Sequence, residues 1–145
     1  MTTPHHQRIG LGLLGAPEVL TMVELAQLAE TRGFESVWVA ETRLTRDGIT
    51  PCAAIAMATT RLKIATGIVN VYTRGAVLTA VSFVSLDEVS QGRIMMGLGT
   101  GSPLVLTPQG VAFVFSGPAA AQLGSGRAAR AYCVTSETLR RPPAR

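Results

Sequence analysis

Thr66-Gly67-Ile68-Val69-Asn70-Val71-Tyr72-Thr73-Arg74 sets an apolar, β-branched run directly against an amide, a phenol, a hydroxyl and a guanidinium. A segment of this kind leaves a buried parallel sheet and presents polar groups at its carboxyl end, where α/β proteins bind ligands. Two other strand-like runs end in the same way, at Glu41-Thr42 and at Gly99-Thr100-Gly101-Ser102. The three together predict one small molecule held above the carboxyl edge of a sheet.

Working outward, strands are expected at Arg8–Leu14, Ser36–Ala40, Leu62–Val69 and Arg93–Leu98, so their starts recur every 26 to 31 residues. Helices are expected between them. The first opens at Pro17, carries Leu20, Val23, Leu28 and neighbouring alanines on its apolar face up to Arg32, and closes at Gly33 in a left-handed cap. The second covers about Thr50–Thr60 with Pro51 near its start, and the third about Ala76–Val89 with Gly92 closing it. Strand and helix in regular alternation specify successive βα units, a parallel sheet and right-handed crossovers.

The chain has 145 residues, 47% of them hydrophobic, which is one domain with enough apolar side chains for a substantial core. Its net charge of +4 would suggest a nucleic-acid partner if it were spread over the fold. It is not: eight basic and eight acidic side chains cancel over residues 1–112, and the excess comes from Arg127, Arg130, Arg140, Arg141 and Arg145 against Glu137 alone. No basic face remains in the main body, so no nucleic-acid partner is expected. Two cysteines, Cys52 and Cys133, make no disulfide framework and fit a reducing, cytoplasmic setting. No apolar run approaches the roughly 18–20 residues of a membrane span. From Phe113 the alternation gives way to Ser116-Gly117-Pro118, an alanine run, scattered arginines and Pro142-Pro143, with Ala128–Leu139 hinting at a helix. The expected organisation is a folded part over 1–112 and an irregular, poorly ordered basic tail over 113–145.

Several motifs have two readings. Gly10-Leu11-Gly12-Leu13-Leu14-Gly15 has the spelling of a dinucleotide fingerprint, but that motif needs a strand before its first glycine. Glycines packed tightly inside the first strand are the preferred reading. Gly97-Leu98-Gly99-Thr100-Gly101-Ser102 is either a cradle for a phosphate or ring carbonyl, or a flexible strand-end turn. Glu41 could move a proton, or pair with Arg43, Arg46 or Arg74. Asn70, Tyr72, Thr73 and Arg74 could hold an anionic ligand tail, or form an ordinary polar loop. Trp38 and Cys52 read as core. The two histidines, His5 and His6, sit in a terminal segment, and no cluster has metal-ligand spacing, so no metal is expected.

Three blocks carry a resemblance. They are Glu24-Leu25-Ala26 through Gly33-Phe34-Glu35-Ser36-Val37-Trp38-Val39-Ala40-Glu41, then Thr66 to Arg74, then Leu86-Asp87-Glu88-Val89-Ser90-Gln91-Gly92-Arg93 leading into Gly97-Leu98-Gly99-Thr100-Gly101. Over residues 8–112 the chain resembles the luciferase-like flavin and deazaflavin oxidoreductases, particularly the branch that uses coenzyme F420. The resemblance implies the first four βα units of a (β/α)8 TIM barrel, with a flavin or deazaflavin ring over the carboxyl end. It also implies a bulge with a non-prolyl cis peptide at about Gly67-Ile68-Val69. On it, Glu41 is the catalytic proton carrier, and Gly67, Ile68, Val69, Asn70, Thr73, Thr100 and Gly101 hold coenzyme F420, with FMN as the alternative. Hydride transfer to or from a small organic substrate follows.

The chain departs from that pattern at Thr42 and Ser102, where relatives carry a histidine and, in sugar-phosphate-oxidising members, a glutamate. Arg74-Gly75-Ala76 also stands where Arg-His-Pro is common. A complete barrel needs about 250 residues. The reading is therefore the amino-terminal half of such an oxidoreductase in a truncated chain, whose tail resembles a gene read out of frame. The alternatives are an FMN-dependent monooxygenase of the same fold, and an inactive truncated product or half-barrel that works only by pairing with another chain.

Overall fold

The computed structural model describes residues 9–14, 17–41, 45–101, 103–111 and 132–135. Outside them lie His5, His6, Gly15, Thr42, Arg43, Ser102 and most of the basic tail. The elements are β1 (Gly10–Leu13), α1 (Val19–Thr31), β2 (Ser36–Val39), α2 (Ile49–Ala58), β3 (Lys63–Thr66), β4 (Val69–Asn70), α3 (Ala76–Ser90), β5 (Ile94–Gly99), a short α4 (Pro103–Leu106) running into a 3-10 turn at Thr107–Gln109, and β6 (Tyr132–Thr135). Strands β1, β2 and β3 pair in parallel, and β5 pairs in parallel with both β3 and β4. The predicted third strand is thus β3 plus β4, and the predicted fourth is β5. These are four βα units in barrel order, the amino-terminal part of a TIM barrel.

Each helix boundary has a local cause. Gly33 at φ +79° follows α1, with Phe34 N–H donating to Ala29 C=O at 3.0 Å and Gly33 N–H to Glu30 C=O at 3.2 Å, the two bonds of a Schellman cap. Asp47 Oδ1 accepts from the N–H groups of Ile49 and Thr50, both at 2.8 Å, and so caps α2. At the end of α3, Gly92 takes φ +82° as expected, but Gln91 is also left-handed at φ 56°. Its side chain is no barrier because one such residue is tolerated where the helix carbonyls Asp87 and Glu88 are capped by backbone N–H groups.

The core lies between sheet and helices, with Val37, Val39, Ile64, Val69 and Ile94 meeting Met22, Cys52, Ile55, Phe83 and Leu86. The face of α1 keeps the expected alanines and Val23 but not the two leucines. Met22, Ala26 and Ala29 are buried, at i, i+4 and i+7, while Leu20 and Leu28 are 75% and 51% exposed. Alanines let the helix lie close to the sheet, and the leucines are turned outward; Val23 is half-buried against the core. The glycines of β1 are strand glycines. A Cβ at Gly10 would stand 2.7 Å from Ser36 Oγ and 3.0 Å from Trp38 Nε1, so Gly10 has a packing cause, whereas one at Gly12 would meet only Leu14 at 4.0 Å. Trp38 is half-buried, its Nε1 donating to Ser36 Oγ at 3.0 Å.

Ala128–Leu139 is described only at Tyr132–Thr135, which is a strand and not a helix, antiparallel to β5 from Met95↔Thr135 to Leu98↔Tyr132. Tyr-Cys-Val-Thr is β-favouring composition, and a free strand edge was there to receive it.

Candidate functional site

The pairing of the third strand with β5 slips at one place. Ala65 is opposite Met95, but Val69 is opposite Leu98, so four steps along one strand match three along the other. The surplus residue makes a bulge, and in it the Gly67–Ile68 peptide is cis. The bulge is braced on both sides. Thr66 Oγ1 donates to Gly97 C=O at 2.9 Å and accepts from Gly97 N–H at 3.0 Å, replacing ladder bonds that the slip removes. Gly67 N–H donates to Val39 C=O at 2.7 Å.

Three glycines of the β5 end make room for this bulge. A Cβ on Gly97 would collide with the Thr66 carbonyl oxygen, one on Gly99 would lie 2.9 Å from Ile68 Cδ1, and one on Gly101 would collide with Asn70 Nδ2. The run read as a cradle for phosphate or ring carbonyl is, at these positions, the negative of the bulge beside it.

A cleft of about 480 Å³ opens at the carboxyl ends of β2, β4 and β5, within the usual size for a small-ligand pocket. Of the residues expected from sequence, Glu41, Ile68, Asn70, Thr73 and Gly101 line it. Gly67, Val69 and Thr100 do not. Val69 is fully buried in the core and supports the bulge from beneath. Gly67 lies against Trp38, with its Cβ position 3.6 Å from Trp38 Cε3. Thr45, Arg46, Asp47, Arg74, Leu78 and Gln109 complete the lining. The βα2 loop residues Thr45 and Asp47 and the distant Gln109 carried no strand-end signal, and Arg46 was weighed only as a partner for Glu41.

Asn70 organises the site. It is 7% exposed, its N–H donates to Glu41 Oε2 at 3.1 Å, and its Oδ1 accepts from Tyr72 N–H at 2.8 Å. Both readings of Glu41 hold in part: it lines the cleft, and its Oε1 lies 3.7 Å from Arg74 Nη2 in a pair whose side chains are each about one-fifth exposed. For Asp47, burial alone would raise the pKa. The bonds from the Thr50 N–H and hydroxyl and the Ile49 N–H outweigh it and, with the charge of Arg74, hold the carboxyl below its ordinary value. Cys52 is fully buried, and burial first, then the Asp47 charge, pushes its thiol up to about 12, so it is no nucleophile. Among the described residues no three His, Cys, Asp or Glu side chains gather as a metal site, and no helix is long and apolar enough to cross a membrane.

Parallel βα units with a ligand-sized cleft at their carboxyl end, floored by a bulged third strand, define a TIM-barrel protein of the ligand-binding kind. The chain belongs to the luciferase-like monooxygenase family, whose model matches residues 1–124. It is 36% identical over 104 residues to 5,10-methylenetetrahydromethanopterin reductase of Methanolobus tindarius, covering 72% of this chain and 32% of that protein. In structure it is similar to the coenzyme F420 dependent tetrahydromethanopterin reductase of Methanopyrus kandleri, with a TM-score of 0.68 and 29% identity over 73% of this chain and 30% of that one. A monooxygenase of Streptomyces bottropensis shares the fold at a TM-score of 0.68 and 24% identity, covering 74% of this chain and 37% of its own. The chain spans about a third of the length of the relatives it matches.

Proposed function

We propose that the chain carries the cofactor-bearing part of a luciferase-like oxidoreductase that moves a hydride between coenzyme F420 and a small organic substrate. One observation carries this reading: the Gly67–Ile68 bulge turns Ile68 into the cleft beside Glu41 and Asn70. The names of the F420-dependent relatives support the choice of cofactor. The bound deazaflavin supplies a carbon that accepts or releases hydride.

The chain's own residues do the rest. Ile68 gives the ring an apolar backing, and the Gly67–Ile68 peptide behind it is fixed by Thr66, Val39 and the β5 glycines. Glu41, held by Asn70 N–H and set near Arg74, carries the proton that must accompany hydride movement. Thr73 and Gly101 bound the cleft from the turn after β4 and the end of β5. The substrate-side walls come from further barrel units, which the relatives' greater length provides, so activity is expected only where those walls are present. The open sides of the partial barrel favour self-association.

Trp38 gives a direct test, being the only tryptophan in the chain and lying where a Cβ on Gly67 would meet it at 3.6 Å. Coenzyme F420 is expected to quench its fluorescence saturably, and FMN to do so less tightly. Saturation with FMN and none with F420 would move the assignment to a flavin monooxygenase; quenching by neither would remove the ring from this cleft.

A further inference from the structure

Four charged side chains line the cleft, Glu41, Arg46, Asp47 and Arg74, and three of them are engaged. Glu41 accepts from Asn70 N–H and faces Arg74. Asp47 is committed to capping α2. Arg46 is different. Its Nε is sealed from solvent and has no hydrogen-bond partner among the described residues. A guanidinium nitrogen stripped of water and left unpaired is costly, and buried polar groups in native proteins are nearly always satisfied. Its position is also fixed, because the next residue is the α2 cap. The planar fork of an arginine matches a phosphate or carboxylate better than any other common group.

We propose that Arg46 anchors an oxyanion, a phosphate ester or carboxylate, on the ligand that occupies the cleft. Arg74 lines the same cleft and supplies a second positive charge, close enough to Asp47 to lower its pKa. The two acids are already occupied, so neither supplies the partner that the Arg46 Nε lacks. The inference rests on the reading that this cleft holds a ligand, but not on hydride chemistry. The oxyanion belongs either to the cofactor's tail or to the substrate.

The test uses the full chain as wild type, Arg46→Met and Arg46→Lys, the first variant keeping the packed stem and the second keeping the charge. Binding of coenzyme F420 is compared with that of its ribityl-deazaflavin core, which lacks the anionic tail, by Trp38 quenching. Thermal midpoints in inorganic phosphate are compared with those in chloride at equal ionic strength. If the tail is the anion, wild type prefers F420 over the core by about tenfold or more. Arg46→Met loses that preference and binds the core unchanged. Phosphate raises the midpoint of wild type and not of Arg46→Met. Equal binding of F420 and core, with an Arg46-dependent phosphate effect, assigns the oxyanion to the substrate. No binding of either ring, with that effect intact, ends the deazaflavin reading and keeps the anion site. A phosphate response and an F420 preference that are the same in wild type and variants overturn it. Should Arg46→Met not fold, Arg46→Lys decides, because it must show a weaker response than wild type.

Discussion

The Thr66 hydroxyl stands where a strand ladder should be and is not. It satisfies both the N–H and the C=O of Gly97 from a fully buried position. Thr66→Val keeps the shape and removes the bonds, leaving two buried backbone groups unpaired. The expected cost is about 2 kcal/mol, read as a lower urea midpoint with an unchanged m-value, together with weaker quenching of Trp38 by cofactor because the bulge loosens. Glu41→Gln separates positioning from proton transfer. The amide oxygen can still accept from Asn70 N–H, so cofactor binding should stay within a few-fold of wild type. Turnover in a barrel with complete walls should fall by roughly 10²-fold or more, and equal loss in binding and turnover would show Glu41 to be a brace. Glu41, Asn70 and Thr73 were legible from sequence because each follows a recognisable strand end, whereas Ile68, inside the expected third strand, was marked only by the family resemblance. Arg46 and Asp47 lie in a loop whose course depends on where α2 begins. The roles of Gly97, Gly99 and Gly101 were hidden for another reason: what they accommodate is Thr66, Ile68 and Asn70, which approach only once the sheet has formed.

At the scale of elements, the end of the sheet opposite the cleft is held by two long side chains. Glu30, near the end of α1, accepts from the N–H groups of Thr60, Arg61 and Leu62 through Oε1 at 2.9, 2.6 and 2.9 Å, gripping the turn between α2 and β3. Arg93, just before β5, donates to the carbonyls of Ala56, Leu62 and Ser90 and to the Thr59 hydroxyl. It thereby ties the end of α2 to the start of β3 and the end of α3. Burial works to raise the Glu30 pKa, but the bonds from Arg61, Leu62 and Thr60 and the Arg61 charge leave it lowered. A folded-state pKa below the unfolded one contributes stability that is complete above the ordinary carboxylate range. That contribution is lost as pH falls through the folded value. Glu30→Gln should therefore cost about 1 kcal/mol at neutral pH and flatten the acid limb of a stability-against-pH curve. An acid limb identical in variant and wild type would mean that the clamp contributes nothing. From β1 to β5 helix and strand identities were legible because apolar runs and glycine stops alternate plainly. Tyr132–Thr135, where no such alternation helps, reads as helix in the sequence and is a strand. The outward turn of Leu20 and Leu28 was not legible, because hydrophobicity cannot tell a face that needs close approach, served by Ala26 and Ala29, from one that merely carries larger apolar groups.

The described strands follow the order of a barrel, and among the described residues the sheet does not close on itself. Met95 pairs with Ala65 on one side and Thr135 on the other, so β6 occupies the edge of β5 where a parallel fifth strand would continue the barrel. At the other end β1 pairs only with β2 among the described residues, leaving its outer edge open. An open edge of backbone donors and acceptors invites pairing with another chain. The outer face of α3 adds to this, with Val77, Val81 and Val84 at 79%, 53% and 67% exposure along one helical stripe. This stripe was not legible in the sequence; it becomes visible only when Phe83 and Leu86 are seen to take the buried side. The occupant expected on these surfaces is a second copy of the chain, since edge and stripe are both self-complementary, one through backbone pairing and the other through apolar contact. Sedimentation velocity at rising concentration should show a faster species growing at the expense of monomer. Val81→Glu with Val84→Glu places two like charges where the stripe would meet its partner, and surface changes of this kind alter stability by only about 0.5 kcal/mol. The double variant should therefore stay folded while its association weakens at least tenfold; unchanged association would shift the contact to the β1 edge, and a monomer at every concentration in the wild type would show that the partial barrel stands alone.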